Sequence, residues 1–166
     1  MSEFVHQRHK PPAVLVQPRE IVLVCSPLRS NVNFSRIVRA AGCCGVQRIV
    51  AAGHAKIDPE IARIDDSQIQ VECHRTLPPI LQKLKGQGFS LVGLEQTTNS
   101  VSLYEFPFQR RTALIVGNER QGLTEDVLSV VDQVVEIPVY GLPFAHNVAT
   151  ATAIALYEYC RQFPQG

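Results

Sequence analysis

The chain has 166 residues, an ordinary 45% hydrophobic share and a formal net charge of only +1, so it is long enough for one domain with a buried core but gives no global charge signal for nucleic acid. No apolar run reaches the roughly 18–20 residues of a bilayer-spanning helix, and the first residues, MSEFVHQRHKPPAV, lack a signal-peptide apolar core; a cytoplasmic location with no membrane partner is expected. Five scattered cysteines, with Cys43 and Cys44 adjacent, fit neither a C-x-x-C metal knuckle nor a disulfide framework, so buried reduced thiols and no metal are expected.

Residues 1–18 are polar, basic and interrupted by proline (Arg8, Lys10, Pro11, Pro12) and read as a flexible basic arm ahead of a folded domain over 19–166. The first strand candidate is EIVLVCS (20–26). Between Ile21 and Ile57 there is no acidic residue, yet Arg29, Arg36, Arg39, Arg48 and Lys56 all fall there. Arginine outnumbers lysine twelve to four, and guanidinium groups suit bidentate phosphate contact. A helix is expected over 34–45, with Asn33 and Ser35 as candidate caps. Ile37, Ala40, Ala41 and Cys44 have the spacing of its buried face. Arg36, Arg39 and Cys43 then share another face near the positive end of the helix, a surface suited to gripping phosphate.

Further strands are expected at 46–52, 89–95, 112–118 and 132–138, and further helices at 76–86, 124–130 and 147–162. The strand runs are continuously apolar rather than alternating, which suits a parallel sheet covered on both faces. Together they make a single α/β domain. Periodicity alone leads to a doubly wound arrangement, because knots are nearly absent from proteins.

Two segments carry chemistry. In TALIVGNERQGL (112–123) a strand delivers Gly117 to the carboxyl edge of the sheet, where α/β proteins bind ligands. Gly117 permits close backbone approach and Gly122 an unusual turn. Glu119 is the only acid between Glu105 and Glu125. The segment contains neither G-x-G-x-x-G nor GK[ST]. In IPVYGLPFAHNVATATAIALYE (137–158) a rigid apolar loop (Pro138, Gly141, Pro143) follows a strand and leads directly into a small-residue helix near Asn147, a natural pocket.

These segments resemble the three signature motifs of the TrmH/SpoU family within the SPOUT superfamily. Asn33, Arg39 and Gly45 match the first motif, GNERQGL matches the second, and IPVYG through Asn147 matches the third. The resemblance covers about residues 20–162. It implies a single-domain SPOUT fold, a parallel sheet flanked by helices with a deep C-terminal trefoil knot, and transfer of a methyl group from S-adenosylmethionine to a ribose 2′-hydroxyl in RNA. It implies that Arg39 is catalytic with Asn33, Glu119 and Asn147, and that Leu94, Glu95, Gly117, Asn118, Ile137, Leu142 and His146 hold the cofactor. Arg29, Arg36 and Arg120 are the candidate RNA contacts. A homodimer through the knot region and the last helix is implied, in which Arg39 of one subunit serves the cofactor held by either.

The chain departs from the family where Ser-Leu-Asn is usual: it has Ala145, His146, Asn147. Ala145 lacks the hydroxyl commonly set near the ribose, and His146 is a candidate to compensate by hydrogen bonding or proton transfer. An arginine is a poor base, so Arg39 is read as an orienting, charge-stabilising group, with solvent, Glu119 or His146 taking the proton. The wording EQTTNS (95–100) resembles the eukaryotic-type tRNA guanosine ribose methyltransferases of the group, and the small size suits a compact target, so tRNA is expected ahead of ribosomal RNA. Two other readings fit fewer of these residues: a catalytically degenerate knotted RNA-binding protein, and a nucleotide-binding α/β protein using Gly117 for phosphate.

Overall fold

The structure is a computed structural model that describes residues 3–166; the first two residues of the expected arm lie outside the described residues. Twelve elements follow in chain order: β1 (Val22–Cys25), α1 (Asn31–Cys43), β2 (Arg48–Ala52), α2 (Pro59–Ala62), β3 (Gln70–His74), α3 (Pro78–Gly86), β4 (Ser90–Leu94), β5 (Val101–Ser102), β6 (Thr112–Val116), α4 (Glu125–Leu128), β7 (Gln133–Glu136) and α5 (Val148–Gln162). The strands form one seven-stranded sheet in the order β3-β2-β1-β6-β4-β7-β5, and every pairing is parallel.

The α/β class and the parallel sheet match the sequence reading. All five expected strands form, each within its expected span, and β3 and β5 are additional. β3 (QVECH) sits at the sheet edge with half-exposed and exposed side chains, so it lacks the apolar run that marks a buried strand. Its Glu72 is held by the guanidinium of Arg48 on β2, at 2.7 and 3.2 Å. β5 has only two residues.

Two apolar layers cover the sheet. On one face Ile37, Val38 and Ala41 of α1 pack with Ala62 of α2 and with Ala155, Leu156 and Tyr159 of α5. On the other, Ile80, Leu81 and Leu84 of α3 pack with Leu123 and Val127. β1 and β6 are buried along their whole length, as central strands sandwiched by helices must be.

Helix α1 begins at Asn31, three residues earlier than expected. Its cap is Ser30, whose Oγ accepts from the Asn33 N–H at 3.1 Å, so neither Asn33 nor Ser35 caps it. The Ser35 hydroxyl instead donates to the Asn31 carbonyl and accepts from the Asp58 N–H. The first turn is exposed at Asn31 and Val32, so it leaves no apolar periodicity to read. With the earlier start, Arg36 and Arg39 lie in the second and third turns, beyond the reach of the helix's positive end. They and Cys43 do share an exposed face. The helix closes on Gly45 at φ +72°, with Gly45 N–H donating to the Gly42 carbonyl and Val46 N–H to the Ala41 carbonyl, the paired closure that left-handed glycine allows.

All five cysteines are free thiols. Cys25 and Cys44 are buried and Cys160 is half-buried, but Cys43 and Cys73 are exposed, which corrects the expectation of uniformly buried thiols. Cys43 faces out of α1, and Cys73 lies on the edge strand.

Arg19 is 8% exposed and spans the ends of the two long helices. Its Nε donates to the Cys44 carbonyl and its Nη1 to the Phe163 carbonyl, both at 2.6 Å, and its guanidinium lies over the Tyr159 ring. Cys44 caps α1 and Phe163 caps α5, so one cation satisfies carbonyls at two negative helix ends. Arg19→Met keeps the aliphatic stem and leaves both carbonyls without their donor; it is expected to cost about 2–3 kcal/mol and to lower the urea midpoint with an unchanged slope. A midpoint equal to that of the unsubstituted protein would remove Arg19 from the α1–α5 seam.

Candidate active site

In-register pairing brings the carboxyl ends of β4 and β6 level, with β7 running one residue further: Leu94 of β4 pairs with Val116 of β6 and with Val135 of β7. Just beyond that edge the chain makes a turn closed by the Asn118–Gly122 bridge. Gly117 has to be glycine there, since a Cβ would come 2.5 Å from the Gly122 carbonyl carbon. Gly122 sits at φ +65° with the Glu95 carboxylate against it. Asn118 stiffens the turn: its Nδ2 donates to the Pro27 carbonyl at 2.6 Å, and its Oδ1 accepts from the Arg120 and Gln121 N–H groups.

Below the turn opens a cavity of about 410 Å³ between the strand ends, the 139–147 loop and the start of α5. Leu94, Val116, Ile137, Val139, Val148 and Ala151 form its apolar wall, and its charged lining residues are Glu95, Glu119 and Glu136 against Arg120 alone. The carboxylates are oriented. Glu95 accepts from the Leu123 and Gln96 N–H groups, at 3.0 and 2.9 Å, and Glu136 accepts from the Ser100 hydroxyl at 2.7 Å.

Glu119 is the most constrained. Its Oε2 accepts from the Arg29 N–H at 2.9 Å, and its Oε1 from the Ser30 N–H at 3.1 Å and from Asn33 Nδ2 at 3.2 Å. Burial pushes its pKa up, but the donors at Arg29, Ser30 and Asn33 together outweigh that and hold the carboxyl below its ordinary range. Asn33 passes the chain on, since its Oδ1 accepts from Asn147 Nδ2 at 3.2 Å. Asn147 caps α5 through its Oδ1, which accepts from the Ala149 N–H at 2.9 Å. One hydrogen-bonded line therefore joins Glu119, Asn33 and Asn147 across 114 residues of chain.

Of the residues singled out in the sequence, Asn33, Leu94, Glu95, Gly117, Asn118, Glu119, Arg120, Ile137, His146 and Asn147 all line this one cavity, as does Ala145. Leu142 does not; it is 77% exposed. Arg29, Arg36 and Arg39 are exposed and outside the lining. Gln96, Glu136, Val139, Val148 and Ala151 line the cavity without having been expected. Val148 and Ala151 follow Asn147 on the helix at a spacing that faces one side, a signal the sequence carried. Gln96, whose Nε2 donates to the Phe144 carbonyl at 3.1 Å, and Glu136, a polar residue ending an apolar strand, carried none. Among the described residues no three His, Cys, Asp or Glu side chains converge so as to hold a metal ion, and no helix is long and apolar enough to cross a membrane.

Comparison with known proteins gives consistent results. The model of the SpoU rRNA Methylase family matches residues 20–157. A tRNA (guanosine(18)-2′-O)-methyltransferase of Escherichia coli (strain K12) is 33% identical over 133 residues, which is 78% of this chain and 58% of that protein, so the chain spans somewhat over half the length of that relative. The crystal structure of the Aquifex aeolicus TrmH/SpoU tRNA modifying enzyme superposes with a TM-score of 0.81 at 29% identity, covering 89% of this chain and 77% of that one. The SpoU methyltransferase AviRb from Streptomyces viridochromogenes, solved in complex with the cofactor AdoMet, gives 0.77 at 25% identity, covering 91% and 63%.

Glu119→Gln turns one acceptor oxygen into a donor facing donors and is expected to destabilise the protein by about 1–2 kcal/mol at neutral pH. Because the folded pKa is depressed from its ordinary value of 4.5, the carboxylate's contribution is complete above that value and is lost as pH falls through the folded pKa. Urea titrations of the two proteins should therefore converge on acidification below pH 4.5. A gap that stays constant through that range would show that the charge on Glu119 does not matter.

Proposed function

The chain belongs to the SpoU rRNA methylase family, and from that premise we propose that it is a 2′-O-ribose methyltransferase that uses S-adenosylmethionine and acts on tRNA, with ribosomal RNA as the second substrate to try. The observation that carries this reading is the Glu119–Asn33–Asn147 line at the rim of the acid-lined cavity, because it ties all three motif segments to one ligand site. The cavity fits the methyl donor in two respects. Gly117 lets main chain form part of the wall, which suits a neutral adenine. Three carboxylates against one guanidinium favour a cationic sulfonium and disfavour the phosphates of an ordinary nucleotide. That balance argues against a nucleotide-binding protein using Gly117 for phosphate.

The bound donor supplies a methyl group on a positive sulfur; the chain's own residues position and deprotonate the acceptor. Glu119 has both oxygens engaged and a lowered pKa, which makes it a weak base and a good anchor. It acts as a positioning residue for Asn33, and Asn33 in turn orients Asn147. His146 lines the cavity with the small Ala145 beside it and is the candidate to take the 2′-hydroxyl proton. Leu94, Glu95, Gly117, Asn118 and Ile137 surround the donor, with Leu142 joining them once the loop is covered. Arg29, Arg36 and Arg120 contact RNA phosphates.

Arg39 lies on the outer face of α1 and does not line its own cavity. In the proposed homodimer it serves the partner's site, stabilising the developing alkoxide. Support for a dimer comes from the exposed apolar side chains Tyr140, Leu142 and Phe144, from 77% to 91% exposed, and from Tyr157 on α5 at 56%. The knot belongs to the same proposal. Support for it is that β7 lies between β4 and β5 while residues 95–100 join those two strands, an order in which a knotted chain leaving β7 would pass that connection on its way to α5. The domain is taken as 19–166 with the arm at 1–18 as a further RNA contact, and the location as cytoplasmic.

Transfer of radiolabelled methyl from S-adenosylmethionine to unmodified tRNA is expected, with ribose-methylated product, and Arg39→Ala should lower turnover by about 10²-fold or more. Mixing Arg39→Ala subunits with Asn33→Ala subunits should restore part of the activity if Arg39 acts across the dimer; no recovery would return it to its own site. Cofactor binding without transfer to tRNA or ribosomal RNA would favour a degenerate RNA-binding protein. For His146→Ala, kcat should fall by about 10²-fold with KM for RNA unchanged; an unchanged kcat would assign the proton to solvent.

A further inference from the structure

A second cavity, of about 230 Å³, lies on the far side of the Asn118–Gly122 turn. Asn118 and Gly122 line both cavities, so the two share a wall one turn thick. The second also opens at the carboxyl edge of the sheet, at Ser26 after β1 and Ala52 ending β2, and is closed by the 75–78 segment. None of the motif residues is explained by it apart from that shared wall.

Its lining is mixed in a particular way. Pro27 and Pro78 supply apolar surface over the buried Leu77 and Val127, while Arg75 and Asp126 bring one charge of each sign. Both are exposed, and among the described residues neither takes part in a salt bridge. A phosphate would gain from Arg75 and lose to Asp126. The edge of a nucleobase presents acceptors and donors together, which suits a guanidinium and a carboxylate at once, and its faces suit the proline rings. Unstacked bases of single-stranded RNA are read in this manner.

We propose that this cavity is a subsite for a base of the substrate RNA adjacent to the methylated nucleotide, read by Arg75 and Asp126. The proposal rests on the RNA methyltransferase reading above. It makes the Asn118–Gly122 turn a partition, with the methyl donor on one side and a neighbouring base on the other. Arg29, two residues beyond Pro27, and Arg120 on the turn stand exposed on the same edge, available for the connecting phosphates.

The test uses the whole protein with unmodified tRNA transcripts. Once the unsubstituted protein has marked its nucleotide, transcripts carrying each of the four bases at the two flanking positions are compared. The unsubstituted protein should prefer one base at one flank by about tenfold in kcat/KM. Arg75→Ala and Asp126→Asn should each flatten that preference and raise KM for RNA by about tenfold, with S-adenosylmethionine affinity by calorimetry unchanged, which also reports folding. The salt dependence of RNA binding should not move with Arg75→Ala. A slope reduced by about one would make Arg75 a phosphate contact and overturn the base-reading subsite. Variants equal to the unsubstituted protein in KM and base preference would overturn the subsite alone. An unsubstituted protein that methylates no RNA would remove the parent reading, and this one with it.

Discussion

A carboxylate with both oxygens occupied holds the loop after β1 against the turn after β6. Glu119 takes the Arg29 and Ser30 N–H groups and the Asn33 amide, and Ser30 is the residue that caps α1. The first N–H groups of a helix and of the loop before it have no partners within the helix, and a negative charge at that end is favoured by the aligned peptide dipoles. One side chain from another part of the chain therefore meets a local need of α1 and fixes its distance from the sheet. Asn33 is then held with its carbonyl oxygen free for Asn147, so the start of α5 is referred to the same anchor.

The sheet supplies the second half of the arrangement. Parallel pairing in register puts Leu94, Val116 and Val135 abreast, so three chains leave the sheet within one residue of the same level, and the cavity lies at that edge. The turn at 117–122 can then fold back over it only because Gly117 has no Cβ to meet Gly122. The opposite ends of the long helices are fixed by Arg19, which bonds the carbonyls of both Cys44 and Phe163. Helix α5 is thus held at its start by Asn147 and at its end by Arg19, and α1 likewise by Ser30 and Arg19. What such double fixing gives is a cavity of set width rather than merely a stable core.

The sequence was legible where burial is complete and where motifs are continuous. β1 and β6 are buried throughout, and their unbroken apolar runs mark them; the GNERQGL turn could be assigned to the sheet edge from the strand before it. Legibility failed where exposure or tertiary partners decide. The exposed first turn of α1 hid its start, and Glu72 on edge strand β3 owes its setting to Arg48 on the neighbouring strand, which spacing along the chain does not reveal. Glu136 reads in sequence as the polar end of a strand, and only folding brings it beside Glu95 and Glu119 in one cavity. Arg39 shows the opposite difficulty. A motif names the residue, but its position on the outer face of α1 depends on helix phase, six residues on from Asn33 and so on another side.

That difference in phase has a physical sense. The net charge of +1 hides a local contrast between an acid-lined cavity with one guanidinium and an outer surface where Arg29, Arg36 and Arg39 are exposed. Opposite charges kept apart in this way do not neutralise each other at contact distance, and each remains available to a ligand of the other sign. A cationic donor and a polyanionic acceptor, as proposed for this site, have to meet at one point while being attracted to different surfaces. An arginine inside its own cavity would weaken the hold on the sulfonium; an arginine on the outer face avoids that cost but then needs a second surface to bring it to the reaction. The exposed apolar side chains of the 139–147 loop, beside the cavity rather than across the molecule, are where such a surface would dock. On the proposed reading, the segment that closes the donor site is therefore the one that calls in the second subunit, and closure of the cavity and arrival of the arginine become a single event.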